Sequence, residues 1–237
     1  MFEVRNIAFA YGRRPVLRDV SFVVSPGETV SVVGGNGAGK TTLMKVLATV
    51  YAPDAGMVIL DGQDALRHQL RYRRQLGYLS EHFSLYDDMT VRDYLVYRAA
   101  LKGEPARRIR RRIGEAAEIC RIADAVFRSP IRALSAGTVK RVALADALLL
   151  RPRVLILDDF LAGLDRGMRL AMGEILKSAA AFSAVIVTGH EIEDLAKWTT
   201  RFLVLRDGVI ASAITTAGIE PGVLCERVDT ALRGETA

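Results

Sequence analysis

"SVVGGNGAGKTTLMK", residues 31–45, decides how the rest of the chain is read. An apolar run ending at Val33 passes into Gly34, Gly35, Asn36, Gly37, Ala38 and Gly39, and then into Lys40, Thr41 and Thr42. Gly34-x-x-x-x-Gly39-Lys40-Thr41 fits the phosphate-binding loop that joins a strand to a helix. The glycines let the backbone wrap closely around phosphates with its amide N–H groups pointing inward. The helix that follows turns its partially positive N-terminus to the same anion. Lys40 is placed to reach the outer phosphates, and the Thr41 hydroxyl to ligate Mg²⁺.

A second stretch, "VLILDDF" at 154–160, puts two aspartates at the end of an apolar strand. Ligands of a parallel sheet collect at the carboxyl ends of its strands, so Asp158 is expected beside the glycine loop. A carboxylate there suits Mg²⁺, which takes oxygen ligands. Asp159 is then the group to orient or polarise an attacking water.

Strand and helix signals alternate around these two stretches. Strands are expected at 2–9, 20–24 (after a polar, basic link), 29–33, 56–62, 75–81, 153–158, 184–188 and 201–205. Helices are expected at about 39–50, 139–150, 166–180 and 191–198. Between about 84 and 138 the strand signals stop and helical periodicity takes over, with Thr90 as a cap and Asp93 three residues on. The pattern predicts one α/β domain over 1–237: a core of 1–83 and 139–237 with a mostly parallel sheet, and a helical subdomain inserted at about 84–138. The tail beyond Ser212 is read as short.

Composition narrows the function. The 237 residues are 50% apolar and 25% charged, which is ordinary for a folded chain. No apolar run has the length of a membrane span, and "MFEVRNIAFAYG" lacks the charged start and apolar middle of a signal peptide. Cys120 and Cys225 have no metal spacing, and an intracellular setting is expected. The net charge of +6 is concentrated in "RHQLRYRRQ" (67–75) and "ARRIRRRIG" (106–114). These runs read either as solvated helix faces or as an attraction to an acidic surface. No nucleic-acid partner is expected, because neither a zinc pattern nor an interleaved aromatic series is present.

Several further motifs, in order, make the chain resemble the nucleotide-binding subunit of ATP-binding cassette (ABC) transporters, a P-loop NTPase, over nearly its whole length. "LSAGTVKR" (134–141) is similar to the family's signature sequence, with Ser135, Ala136 and Gly137 at a helix start. "LAGLD" (161–165) resembles the loop that reaches across a dimer, ending in Asp165. "VTGHE" (187–191) places His190 as the family's switch histidine. Tyr11 in "FAYGRRPVL" resembles the aromatic that stacks on adenine, and "LGYLSEHFSLYDDMTVRDYL" (76–95) the loop that couples core to helical subdomain. The resemblance also implies an antiparallel N-terminal β region.

What the resemblance implies is an ATPase with Mg²⁺ as cofactor. Two subunits, identical or different, sandwich two ATPs between one chain's phosphate loop and the other's signature. A separate transmembrane permease is driven from the cytoplasmic, inner face of the membrane. "LYDDMTV" and the compact tail look more like exporter cassettes. Three positions depart from the family pattern: Asp159 stands where a glutamate is usual, Ala136 where glycine is, and Glu81 where glutamine is commoner. Asp159 is shorter by one methylene, and a misplacement of about 1 Å can cost about 10²-fold in rate, so slow hydrolysis is expected. Two other readings share the loop: a nucleotide-gated binding or signalling module with little turnover, and a non-transport ABC-type ATPase.

Overall fold

In the computed structural model, which describes residues 1–234, the chain runs β1 (Phe2–Tyr11), β2 (Arg14–Val24), β3 (Thr29–Val33), α1 (Lys40–Leu47), β4 (Ala55–Leu60), β5 (Gln63–Asp64), α2 (Gln69–Arg73) and β6 (Leu76–Leu79). Helices α3 (Val91–Leu101) and α4 (Ala106–Ile119) follow, then two short 3-10 segments, Asp124–Arg128 and Ile131–Ala133. The remainder is α5 (Ala136–Leu148), β7 (Val154–Leu157), α6 (Arg166–Ala180), β8 (Ala184–Thr188), α7 (Ile192–Leu195), β9 (Arg201–Arg206), β10 (Val209–Thr215) and α8 (Pro221–Arg233).

Two sheets result. An antiparallel sheet has the order β2-β1-β4-β5, and a six-stranded sheet the order β10-β9-β3-β8-β7-β6. In the second, β9, β3, β8, β7 and β6 are parallel and β10 returns antiparallel along the edge. Side chains alternate across a strand, and here that alternation separates two cores. Val154 and Ile156 of β7, with Ala184 and Ile186 of β8, pack toward α1 and the antiparallel sheet. Leu155, Leu157, Val185 and Val187 pack on the other face, against α3, α5 and α6. Burial on both faces is why these strands read as unbroken aliphatic runs.

Several ends fall where the sequence places them, including β3, α6 and β8. Others differ. The link between the first two strands is itself strand: Tyr11 pairs with Arg14 across a tight turn in which Gly12 takes φ +61°. The residues there are polar because one face of the hairpin meets solvent. The expected helix at 191–198 is the single turn α7. The tail holds an edge strand, β10, and a 13-residue helix, α8, which docks through Leu224 and Val228.

Thr90 caps α3 as expected: its Oγ1 accepts the Asp93 N–H at 3.1 Å and donates to the Asp93 carboxylate at 2.6 Å. One face of α3 is tied to α5 by charge. Tyr94, Arg98 and Lys102, spaced four apart on one helix face, all reach the buried Asp146, at 3.1, 2.8 and 2.7 Å. Burial lowers the Lys102 pKa, with Asp146 opposing the shift. Removing one partner of such a cluster leaves the others uncompensated. Asp146→Ala is expected to lower the unfolding free energy by about 3 kcal/mol, read from the urea midpoint at unchanged slope.

Candidate functional site

Loop, helix and acidic strand end meet in one cleft of about 730 Å³. The strand order brings this about, because β8 lies between β3 and β7. Residues after β3 and residues after β7 therefore emerge on the same edge of the sheet, one strand apart. Asn36 to Thr42, Tyr11, Glu81, Asp158, Asp159, Thr188 and His190 line the cleft, with Arg14, Arg18, Asp207 and Gly208 on its outer wall.

The loop's glycines have distinct reasons. Gly37 and Gly39 take φ +78° and +103°, the region that favours glycine. Gly34 is needed for closeness: a Cβ there would lie 2.4 Å from the Leu205 carbonyl oxygen. Lys40, at the start of α1, folds back and donates to the carbonyls of Gly34 at 2.7 Å and Gly35 at 3.2 Å. Burial lowers its pKa, while Asp159, Asp158 and Glu81 oppose that shift. Tyr11 is 48% exposed and sits in an aromatic cluster with Phe9 and Tyr51, at ring distances of 5.0 and 5.9 Å. Its hydroxyl lies 3.4 Å from that of Thr42.

Asp158 is 1% exposed. Its Oδ1 accepts from Thr188 Oγ1 at 2.7 Å and from Thr41 Oγ1 at 3.3 Å. Its Oδ2 and the Asp159 Oδ1 are buried with no hydrogen-bond partner among the described residues. Burial pushes the pKa of Asp158 up, and the Thr188 and Thr41 hydrogen bonds oppose that rise. Burial also raises Asp159, against the pull of His190. Two acidic side chains with unsatisfied oxygens, beside a threonine hydroxyl, make a hard-oxygen donor set that fits Mg²⁺. Glu81, exposed just beyond β6, supplies a further oxygen at the same edge.

The hairpin wall is laced to the far side of the cleft. Arg18 N–H donates to Gly208 O at 2.9 Å, and a Cβ on Gly208 would lie 2.4 Å from Val16 O. Helix α5 contributes from behind: Lys140 Nζ donates to the carbonyls of Phe160, at 2.8 Å, and Ala162, fixing the loop that leaves Asp159.

The remaining expected site residues lie elsewhere. Ser135 caps α5, accepting the Thr138 N–H at 3.3 Å, and Ser135 and Ala136 are exposed. Gly137 lies against Met168, whose Cε would be 2.1 Å from an added Cβ. Asp165 caps α6 through the Met168 N–H at 2.9 Å. None of the four lines the cleft of its own chain. Conversely, Thr188 belongs to the site and was not singled out from sequence; its position two residues before His190, at a strand's carboxyl end, was the available signal.

An ABC transporter family model matches residues 17–162, more than half of the chain. The chain belongs to the ABC transporter family. The sulfate/thiosulfate import ATP-binding protein CysA of Photorhabdus laumondii is 35% identical over 217 residues, which are 88% of this chain and 59% of that protein. The uncharacterized ABC transporter ATP-binding protein YxlF of Bacillus subtilis is 30% identical over 211 residues, 89% of this chain and 70% of that one. A solved ATP-binding subunit of an ABC transporter superposes with a TM-score of 0.83 at 26% identity, covering 97% of this chain and 99% of that one. The chain spans 57–61% of the length of the import relatives CysA and PotA. Membership accounts for the α/β architecture and for the motif order.

An ionised carboxylate buried at Asp158 destabilises the nucleotide-free ABC fold. Asp158→Asn, which keeps the shape and an accepting oxygen, is expected to raise the melting temperature at neutral pH without nucleotide or metal. A melting temperature at or below wild type would mean that the hydrogen bonds of Thr188 and Thr41 outweigh burial.

Proposed function

We propose that the chain is the ATP-binding and hydrolysing cassette of an ABC transporter, a single domain with its core at 1–83 and 139–237 and a helical subdomain at about 84–138. The last three residues of that span lie outside the described structure. One observation carries the reading: the Lys40 loop and the Asp158–Asp159 pair share one cleft.

In this reading the amides from Gly34 to Thr42 cradle the triphosphate and Tyr11 packs on adenine. Thr41, Asp158 and Glu81 hold Mg²⁺, which when bound neutralises charge on the outer phosphate oxygens. Asp159 orients a water and His190 steadies the terminal phosphate. The water oxygen bonds to the γ-phosphorus as the bond to the bridging oxygen breaks, and ATP plus water becomes ADP plus phosphate. Ser135, Ala136, Gly137 and Asp165 lie on exposed helix starts outside their own chain's cleft, so a second cassette supplies them across an ATP-bridged dimer.

A transmembrane permease is the other partner. The names of CysA and PotA as import ATP-binding proteins support it. So does the lack, among the described residues, of any helix long and apolar enough to cross a membrane. The cassette then works at the inner face of the cell membrane. Hydrolysis is slow, because the carboxyl of Asp159 stops one methylene short of the family's glutamate.

Lys40→Ala is expected to abolish binding of a fluorescent ATP analogue, and undiminished affinity would contradict the assigned pocket. Asp159→Glu is expected to raise steady-state turnover by about 10- to 100-fold. If the glutamate enzyme is no faster, Asp159 does not limit the rate.

A further inference from the structure

Thr188 ends β8, and β8 separates the strand that feeds the phosphate loop from the strand that ends in Asp158. Its side chain is buried and its one hydroxyl is used twice. It donates to Asp158 Oδ1 at 2.7 Å and accepts the Asp159 N–H at 2.8 Å. A hydroxyl has one proton and two lone pairs, so the same atom serves both acidic residues without conflict.

Each bond has a geometric consequence. At Asp158, Thr188 and Thr41 both occupy Oδ1, which leaves Oδ2 as the buried oxygen without a partner among the described residues. The carboxylate is thereby fixed with one face turned to the cleft. At Asp159 the backbone takes φ +43°, a left-handed value that is unfavourable for a residue with a side chain. The amide entering this turn is held by Thr188, and the carbonyls leaving it are held by Lys140. A conformation of this kind persists where its surroundings over-determine it.

We propose that Thr188 is a positioning residue for hydrolysis, its single hydroxyl setting both the cation-facing oxygen of Asp158 and the backbone turn that aims Asp159 at the attacking water. The proposal rests on the hydrolytic reading of the cleft. Valine has nearly the shape of threonine and can make neither bond, while serine can make both.

In the full chain, Thr188→Val is expected to lose about 10- to 100-fold in kcat for Mg-ATP and to need more Mg²⁺ for its half-maximal rate. Its affinity for ATP measured with EDTA should stay at the wild-type value. Thr188→Ser should recover most of the rate and of the Mg²⁺ dependence. Independently of nucleotide, hydrogen exchange at the Asp159 amide, followed by NMR, should quicken in Thr188→Val and stay slow in Thr188→Ser. If the valine packs badly, Thr188→Ala is read by the same measures. Wild-type kcat and Mg²⁺ dependence in Thr188→Val would overturn the proposal. Equal losses in the valine and serine variants would overturn it too, since packing would then be the cause. If the wild type itself neither binds nor hydrolyses ATP, the reading of the cleft fails, and amide exchange alone decides the role of Thr188: unchanged protection in the valine variant refutes it.

Discussion

The level pairing of three parallel strands is the constraint on which the site depends. Val32 of β3 faces Thr188 of β8, and Leu157 of β7 faces Val187. The strand ends are thus in step to within a residue, and whatever follows each of them emerges at the same height. A slip of one residue would exchange the two faces of a strand, burying Asp158 in an aliphatic core. The register is secured by that penalty: on β7 and β8, alternate side chains belong to different hydrophobic clusters.

What the sequence made legible was whatever obeyed a local rule. The glycine spacing, the aliphatic runs of β3, β7 and β8, and the Thr90 cap each carry their physical cause within a few residues. The hairpin of β1 and β2 was half legible, because its outward residues, Arg14, Arg18 and Asp19 among them, imitate a loop. The edge strand β10 was hidden by small residues, Ala211, Ser212 and Ala213, that give little apolar contrast. Helix α8 was hidden because it docks through just Leu224 and Val228 as buried residues. In each case tertiary contact, not local preference, decided the outcome.

The cleft divides in the same way. Lys40, Thr41, Asp158, Asp159 and His190 stood out because their residue types sit at telling places along the chain. Thr188 did not, since a threonine at a strand end is ordinary until its neighbours in space are known. The exposed positions of Ser135, Ala136 and Asp165 are equally silent within a single chain. Their own hydrogen bonds, to the starts of α5 and α6, account for them fully as helix caps.

The lacing of the hairpin to the turn beyond β9 has a consequence for how a ligand is received. Arg18 and Gly208 join the wall carrying Tyr11 to the strand whose Leu205 presses on the phosphate loop. Both ends of the cleft therefore belong to one rigid jaw, with no joint between the part that would grip a ring and the part that would grip charge. Entry of a guest freezes the guest's own torsions but few of the host's.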